Sequence, residues 1–303
     1  MKLVDAATAA RLLDLPSLIA ALRDGHRHDI DDTGRMLLGA GTDSFLAMGA
    51  WQRGAGFGVK LATVFPGNAA RGKPNIASLY VLFDDADGSV RAVIEATPLT
   101  VRKTAADSAL AADYLAKRDA RTLLMVGAGA QAPWMVQAFR VVRPSIDRVL
   151  IWNRTRDRSA ALASETGGEV ADDLASAVAA ADIISCVTAA TEPVVRGAWL
   201  KPGAHLDLVG GYTPDMREAD DEAVRRARVY VDTRWFTLRD AGDICQPLRD
   251  GVITAAGVLG DLFELVRGTV PGRRDDTEIT LFKNAGGGHL DLMAARLIAA
   301  RLG

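Results

Sequence analysis

The sequence predicts an α/β protein containing a Rossmann-type dinucleotide-binding domain, and three observations predict it. Beyond residue 120 or so, short apolar runs alternate with helical stretches, as in a parallel sheet covered on both faces. The first of these runs ends in a glycine-rich turn that opens a helix. The preceding part of the chain has a different texture, of glycine-punctuated strands and a hairpin signal. At 303 residues, two domains are the natural expectation.

In chain order, strands are expected over 56–65, 77–83 and 90–95, with Asp87-Gly88 as the hairpin turn between the last two. A helix rich in Ala and Leu follows over 100–117. The alternation then begins: a strand at 122–126, a helix to 143, a strand at 148–152 and a helix at 156–166. Strands at 182–187, 205–209 and 228–231 continue it. A last helix, 290–302, lies outside the alternation and is free to return to the first domain.

Composition narrows the function classes. Thirty-six Lys and Arg against 38 Asp and Glu leave a net charge of −2, without the basic excess of a nucleic-acid or membrane-surface binder. No apolar run reaches the 18 or so residues needed to span a bilayer, and the first residues lack a signal-peptide layout. Two cysteines, Cys186 and Cys245, and four scattered histidines provide neither a disulfide framework nor metal-ligand spacing. The expectation is a cytoplasmic, metal-free protein with no nucleic-acid or membrane partner.

The sharpest motif is Gly127-Ala128-Gly129-Ala130-Gln131-Ala132, a GxGxxA fingerprint between strand and helix. Gly127 permits the tight turn, Gly129 lets backbone N–H groups approach a pyrophosphate, and the helix N-terminus favours the anion. An NAD-specific site normally ends the second strand on Asp or Glu, which binds the ribose 2′-hydroxyl. Here the stretch reads Trp152-Asn153-Arg154-Thr155. Asn153 does not repel a 2′-phosphate and Arg154 with Thr155 can bind one, so NADPH is expected in preference to NADH. An ordinary surface arginine is the alternative for Arg154.

Several stretches together resemble the ornithine cyclodeaminase/mu-crystallin family: Gly58-Val59-Lys60 with Val64-Phe65-Pro66-Gly67-Asn68, Leu99-Thr100-Val101-Arg102-Lys103-Thr104-Ala105-Ala106, the glycine loop, and Leu281-Phe282-Lys283-Asn284. They run in family order over nearly the whole chain. The resemblance implies a Rossmann domain inserted into an α+β substrate-binding and dimerisation domain, with 1–117 completed by the C-terminal helix 285–303 and with 118–284 as the dinucleotide-binding part. It implies a homodimer and a small amino- or imino-acid substrate. Carried over by position, Arg35 and Lys60 resemble the residues that hold the substrate carboxylate. Thr188 resembles a cofactor contact at a strand end, as do Val209 and Gly210, and Asn284 resembles a residue near the nicotinamide. Asn75 offers an amide that could reach the ligand, although a turn role is the simpler reading.

Two departures from the family pattern carry information. Where the family has an arginine in Leu-Thr-x-x-Arg-Thr-Ala-Ala, this chain has Lys103 preceded by Arg102, and either could face the substrate. Where cyclodeaminases carry a catalytic aspartate, the chain reads Gly210-Gly211-Tyr212-Thr213-Pro214-Asp215-Met216-Arg217-Glu218, with Tyr212 in the aspartate position. Cyclodeamination must activate a distal amine, for which a carboxylate is the obvious tool; a cyclic imine has no such amine. The expected reaction is therefore NADPH-dependent reduction of a cyclic 2-imino acid, Δ1-pyrroline-2-carboxylate or Δ1-piperideine-2-carboxylate, to L-proline or L-pipecolate. Lys60, Ser44 and Tyr212 are the candidate proton donors, and Asp291 in the last helix could also approach. The four histidines are expected to be solvated. The alternatives are an NAD-dependent ornithine cyclodeaminase and a non-enzymatic NADPH-dependent binder of small molecules; reductive amination of open-chain keto acids is a lesser variant of the reductase.

Overall fold

The computed structural model describes residues 1–302, apart from the side chain at position 69. The chain divides into two compact units, Met1–Thr104 with Gly287–Gly303 and Ala105–Gly286. The sequence placed the divisions at 117/118 and 284/285. The first difference has a physical origin in helix α3 (Thr97–Leu115). Its later turns are tied to the second unit: Arg143 donates to the carbonyls of Ala112 and Ala116 and to the Asp113 carboxylate.

In the first unit, β1 (Lys2–Val4), α1 (Ala6–Leu12) and α2 (Leu15–Gly25) precede the strands β2 (Asp32–Ala40), β3 (Asp43–Gln52), β4 (Gly56–Val64), β5 (Ile76–Phe83) and β6 (Val90–Glu95). Among the described residues they form a six-stranded sheet in the order β1-β6-β5-β4-β3-β2, antiparallel except where β1 joins β6. The strands at 56–65, 77–83 and 90–95 correspond to β4, β5 and β6. The hairpin β2–β3, which carries Arg35 and Ser44, is not among the strands expected from the sequence. Gly41, at φ +62°, sits first in its two-residue turn, the position a type II′ hairpin gives to glycine.

Register decides which side chains share a face. Arg35 lies opposite Met48, Met48 opposite Lys60, Lys60 opposite Tyr80, and Tyr80 opposite Ile94. Directly opposed residues of antiparallel strands point the same way, so Arg35, Lys60 and Tyr80 form part of one row. Helix α11 (Gly288–Arg301) packs on β2 to β6. Its start comes unusually close to the sheet: a Cβ at Gly288 would stand 2.6 Å from the carbonyl oxygen of Gly49. Tyr80 is fully buried and its ring lies over Gly58.

The second unit carries β7 (Thr122–Val126), α4 (Ala132–Val142), β8 (Arg148–Trp152), α5 (Arg156–Thr166), β9 (Glu169–Val170), α6 (Leu174–Ala180), β10 (Ile183–Cys186), β11 (His205–Leu208), α7 (Asp221–Arg226), β12 (Arg228–Val231), α8 (Arg234–Asp240), α9 (Gly242–Arg249), β13 (Val258–Asp261), α10 (Leu262–Arg267) and β14 (Thr280–Lys283). Among the described residues its sheet has eight strands, all parallel, ordered β13-β12-β14-β11-β10-β7-β8-β9. The chain leaves β7 toward β8 on one side and returns to β10 on the other. That reversal is the topological switch point, outside whose carboxyl ends open α/β sheets bind ligands. The core is a continuous layer of aliphatic side chains, among them Leu124, Val126, Ile184, Leu206, Leu208 and Leu281. Among the described residues no helix is long and apolar enough to cross a membrane.

Three histidines expected in solvent are instead buried: His26, His205 and His289. His205 hydrogen-bonds through Nδ1 to Thr280 Oγ1 at 2.9 Å, and His26 and His289 meet edge to face at 5.5 Å. Their runs looked polar because the partners that bury them are distant in sequence.

Gly58→Ala is expected to destabilise the protein by about 1–3 kcal/mol through overpacking, because the new Cβ meets the Tyr80 ring and the Val81 carbonyl. Denaturant unfolding measures it. Unchanged stability would mean that the Tyr80 ring is free to move aside.

Candidate functional site

In the first unit, Lys60 and Lys103 converge on Asp291. Lys60 Nζ lies 2.8 Å from one carboxylate oxygen of Asp291, and Lys103 Nζ 3.7 Å from the other. All three are buried. Lys60 comes from the inward row of β4, Lys103 from α3 and Asp291 from the first turn of α11, where the helix N-terminus favours a negative charge. The close approach of Gly288 to Gly49 brings that turn down onto the sheet.

Within this trio the charges do not balance. Burial holds the His289 imidazole well below its usual pKa, with His26 and Lys103 adding to the effect, so it is neutral. Burial likewise raises the Tyr80 hydroxyl well above its ordinary range, assisted by Asp291. Two lysines therefore face one carboxylate. Burial pushes the Lys60 ammonium down, Asp291 opposes that push and Lys103 adds to it. A buried cationic excess is costly, so it is relieved either by Lys60 giving up a proton or by an incoming anion.

The doublet Arg102-Lys103 is thereby divided. Lys103 joins the buried group. Arg102, a candidate substrate contact by sequence, instead donates to the carbonyls of Ala10 and, at 3.3 Å, Leu13 at the end of α1. It satisfies helix-end carbonyls that have no partner within the helix. Arg35 shares the Lys60 row two strands away, about 10 Å at ordinary strand spacing. Ser44 faces the same way but stands four residues along β3 from the residue opposite Lys60, about 13 Å. It is not brought to Lys60. Asn75 is exposed just before β5, where its carbonyl accepts from Phe65 N–H at 2.7 Å.

In the second unit the glycine loop follows β7 at the switch point. Gly127 has φ +108°, and a Cβ there would stand 2.8 Å from the Val187 carbonyl, so only glycine fits. A Cβ at Gly129 would meet open space, which leaves its backbone accessible to a phosphate. Ala130 is exposed and Gln131 half-buried ahead of α4. Asn153 closes the turn from the side: its Oδ1 accepts from Ala128 N–H at 3.3 Å and its Nδ2 donates to the Thr155 carbonyl at 3.0 Å. Arg154 and Thr155 are exposed beside it.

Thr188, Val209 and Gly210 follow β10 and β11 at the same sheet edge, and one buried carboxylate, Glu218, binds all three. Asn284 is buried after β14 and donates to Ser108 Oγ at 3.0 Å. Lys283 is fully buried 3.1 Å from Asp243. Tyr212, a candidate proton donor, has its side chain half exposed. The sequence reading overlooked Glu218, Asp243 and the charge of Lys283. Glu218 did stand in the quoted loop, but nothing in its spacing signals that it folds back onto backbone N–H groups.

A glycine loop at the switch point of a parallel sheet defines the second unit as a Rossmann-type dinucleotide-binding fold, and the first unit carries a buried cationic group of its own. The chain belongs to the ornithine cyclodeaminase/mu-crystallin family, whose profile matches residues 6–302. It is 45% identical over 286 residues to the Δ1-pyrroline-2-carboxylate reductase of Paracoccus denitrificans, covering 93% of this chain and 90% of that protein. It is 37% identical to the ketimine reductase mu-crystallin of Rattus norvegicus, over 79% of this chain and 74% of the relative. Among solved structures, Thermococcus litoralis Δ1-pyrroline-2-carboxylate reductase, in complex with NADH and L-proline, superposes with a TM-score of 0.93 at 27% identity, covering 99% and 97% of the two chains.

The charge count yields a stability prediction. Asp291→Asn strands two buried cations and is expected to cost about 3–5 kcal/mol. Lys60→Met is expected to cost less, and the Lys60→Met/Asp291→Asn double variant should recover part of the Asp291→Asn loss. Additive losses in denaturant unfolding would mean that the pair is not coupled.

Proposed function

We propose that this chain is an NADPH-dependent reductase of cyclic 2-imino acids, acting on Δ1-pyrroline-2-carboxylate or Δ1-piperideine-2-carboxylate to give L-proline or L-pipecolate. The observation that carries the reading is the buried group of Lys60, Lys103 and Asp291, which is one anion short of neutrality. A 2-carboxylate supplies that anion. The relatives named for reduction of a pyrroline carboxylate and of ketimines point to the same chemistry.

In this reading the dinucleotide is held at the loop Gly127 to Gln131, with Asn153, Arg154 and Thr155 at its adenosine end and Thr188, Val209, Gly210 and Asn284 toward the nicotinamide. Lys103 and Arg35, with Lys60, hold the substrate carboxylate. Bound NADPH would supply the hydride for C2, and as the C=N π electrons pass to the ring nitrogen that nitrogen must take a proton from the chain. Lys60 is the donor we favour: a buried ammonium with a lowered pKa releases a proton readily. Most of the acceleration then comes from orientation of the imine carbon toward the hydride donor.

The decisive assay follows NADPH oxidation with each imino acid, alongside ammonia release from L-ornithine with NAD. Oxidation without ammonia is the expected result; ammonia from ornithine would overturn the reductase reading and the argument from Tyr212. In the same assay Asn153→Asp should shift the kcat/KM ratio toward NADH by tenfold or so, since the new carboxylate favours a 2′-hydroxyl and repels a 2′-phosphate. An unchanged ratio would remove Asn153 from that role.

The protein is also proposed to be a homodimer through the outer face of the β2–β6 sheet. From β2 to β5 the outward rows Met36-Ala47-Leu61-Leu79, Leu38-Phe45-Thr63-Ala77 and Gly34-Gly49-Val59-Val81 are free of charged side chains, and charge enters at the borders, with Glu95 opposite Leu79 and Asp32 at the start of β2. Met36, Leu38 and Leu79 are exposed. A contiguous apolar face of this kind is covered in solution by a partner, and a second copy presents the same face. Light scattering should give twice the chain mass, and Leu38→Lys with Leu79→Lys should halve it; a monomeric parent protein would end the proposal.

A further inference from the structure

Glu218 is unexplained by the function proposed above. It is a buried carboxylate with four donors at hydrogen-bond distance. Oε1 accepts from Thr188 N–H at 2.6 Å and from Thr188 Oγ1 at 2.9 Å. Oε2 accepts from Val209 N–H at 3.0 Å and Gly210 N–H at 2.6 Å. Thr188 follows β10, while Val209 and Gly210 follow β11, so one side chain joins the loops beyond two neighbouring strands of the parallel sheet. Nothing larger than glycine fits at 210, where a Cβ would run into the Thr188 carbonyl and Glu218. Asp243 in turn accepts from the backbone N–H of Glu218 at 2.7 Å and faces Lys283 at the end of β14. Lys283, Asp243 and Glu218 therefore connect the carboxyl ends of β14, β11 and β10, the edge at which a switch-point sheet binds its ligand.

We propose that Glu218 is a positioning residue for the dinucleotide: its ionised carboxylate holds the loops at Thr188 and Val209–Gly210 in the arrangement that receives the nicotinamide half, and protonation releases them. The inference rests on the reading that this chain binds a nicotinamide dinucleotide. A carboxylate accepts at both oxygens, whereas a carboxylic acid must turn one O–H toward a neighbour, and here the neighbours at both oxygens are donors. Protonation at Oε2 sets donor against donor at Val209 and Gly210, and protonation at Oε1 turns the Thr188 hydroxyl from donor to acceptor, so either way one loop loses a hydrogen bond to the carboxylate.

The surroundings put this switch in an accessible pH range. Burial first and the Asp243 charge second raise the Glu218 carboxyl to about 7, against the lowering effects of Lys283 and the Thr188 and Gly210 N–H groups. Cys186, on β10, also faces Glu218; burial raises its thiol well above its ordinary value, so it is uncharged in this range. The cofactor-bound form favours the ionised carboxylate, so affinity is full above pH 7 and falls as the pH drops through that value.

The test is the Kd of NADH, read by its fluorescence, between pH 5.5 and 8.5. NADH serves better than NADPH here because it has no 2′-phosphate to titrate near pH 6. Affinity of the parent protein should weaken about tenfold from pH 8 to pH 6, the scale of one lost charge-assisted hydrogen bond. Glu218→Gln should bind about tenfold more weakly at pH 8 and show little pH dependence, because its amide N–H2 mimics the protonated acid. Asp207→Asn provides the control. Asp207 is another buried carboxylate, raised to about 6 by burial, but it is bonded to the Ser185 and Ser108 side chains rather than to the loops, so this variant should keep the parent slope. A flat parent profile, or one that Asp207→Asn flattens instead, overturns the proposal, and the parent measurement decides even if Glu218→Gln fails to fold. NADH failing to bind at any pH would overturn the dinucleotide reading itself.

Discussion

The interaction on which the first unit depends is the buried meeting of Lys60, Lys103 and Asp291. Three separate elements must arrive in register for it to form, and each arrives for a local reason. The β2–β5 pairing turns Lys60 inward, α3 presents Lys103 while Arg102 turns to the end of α1, and two glycines let the start of α11 descend to the sheet. A neutral buried pair would be a structural feature and nothing more. An excess of one cation in a buried setting is a standing cost, and proteins retain such costs where a ligand relieves them.

The second unit uses the same economy of charge differently. The glycine loop makes room for a phosphate by having nothing at Gly129, and Asn153 fixes the loop without adding charge. At the far side of the switch point, Glu218 gathers backbone N–H groups from two loops, with Asp243 and Lys283 behind it. The cations of the first unit are suited to an anionic substrate. The carboxylates of the second are spent on shaping backbone.

What was legible in the sequence follows from what is local. The strands β7, β8, β10, β11 and β12 and the helices α4 and α5 could be read because apolar runs, glycine turns and helical spacing lie within a few residues of each other, whereas the short β9, α6 and α7 were not read. The helix over 156–166 was read with its observed bounds for that reason. The hairpin β2–β3 was not: it is an edge hairpin whose Met36, Leu37 and Leu38 are exposed, so no alternation marks a buried face. Lys60 was singled out because a lysine inside an apolar strand is conspicuous. Asp291 had only its place in the last helix to recommend it, since its partners lie some two hundred residues earlier. Glu218 was invisible for a different reason: its partners are main-chain N–H groups, which no residue letter encodes. The buried histidines were misread in the same way, because a burial made by distant elements leaves no local trace.

The central claim is that the buried cationic group binds a carboxylate. Calorimetric titration of the protein, with saturating NADP+ present, tests it directly with two planar ligands of nearly the same shape, pyrrole-2-carboxylate and pyrrole-2-carboxamide. The account predicts binding of the carboxylate, at least tenfold tighter than that of the neutral amide, and loss of that difference in Lys103→Met. Equal affinities for the two ligands would contradict it, because the excess charge on Lys60 and Lys103 would then have no part in recognition.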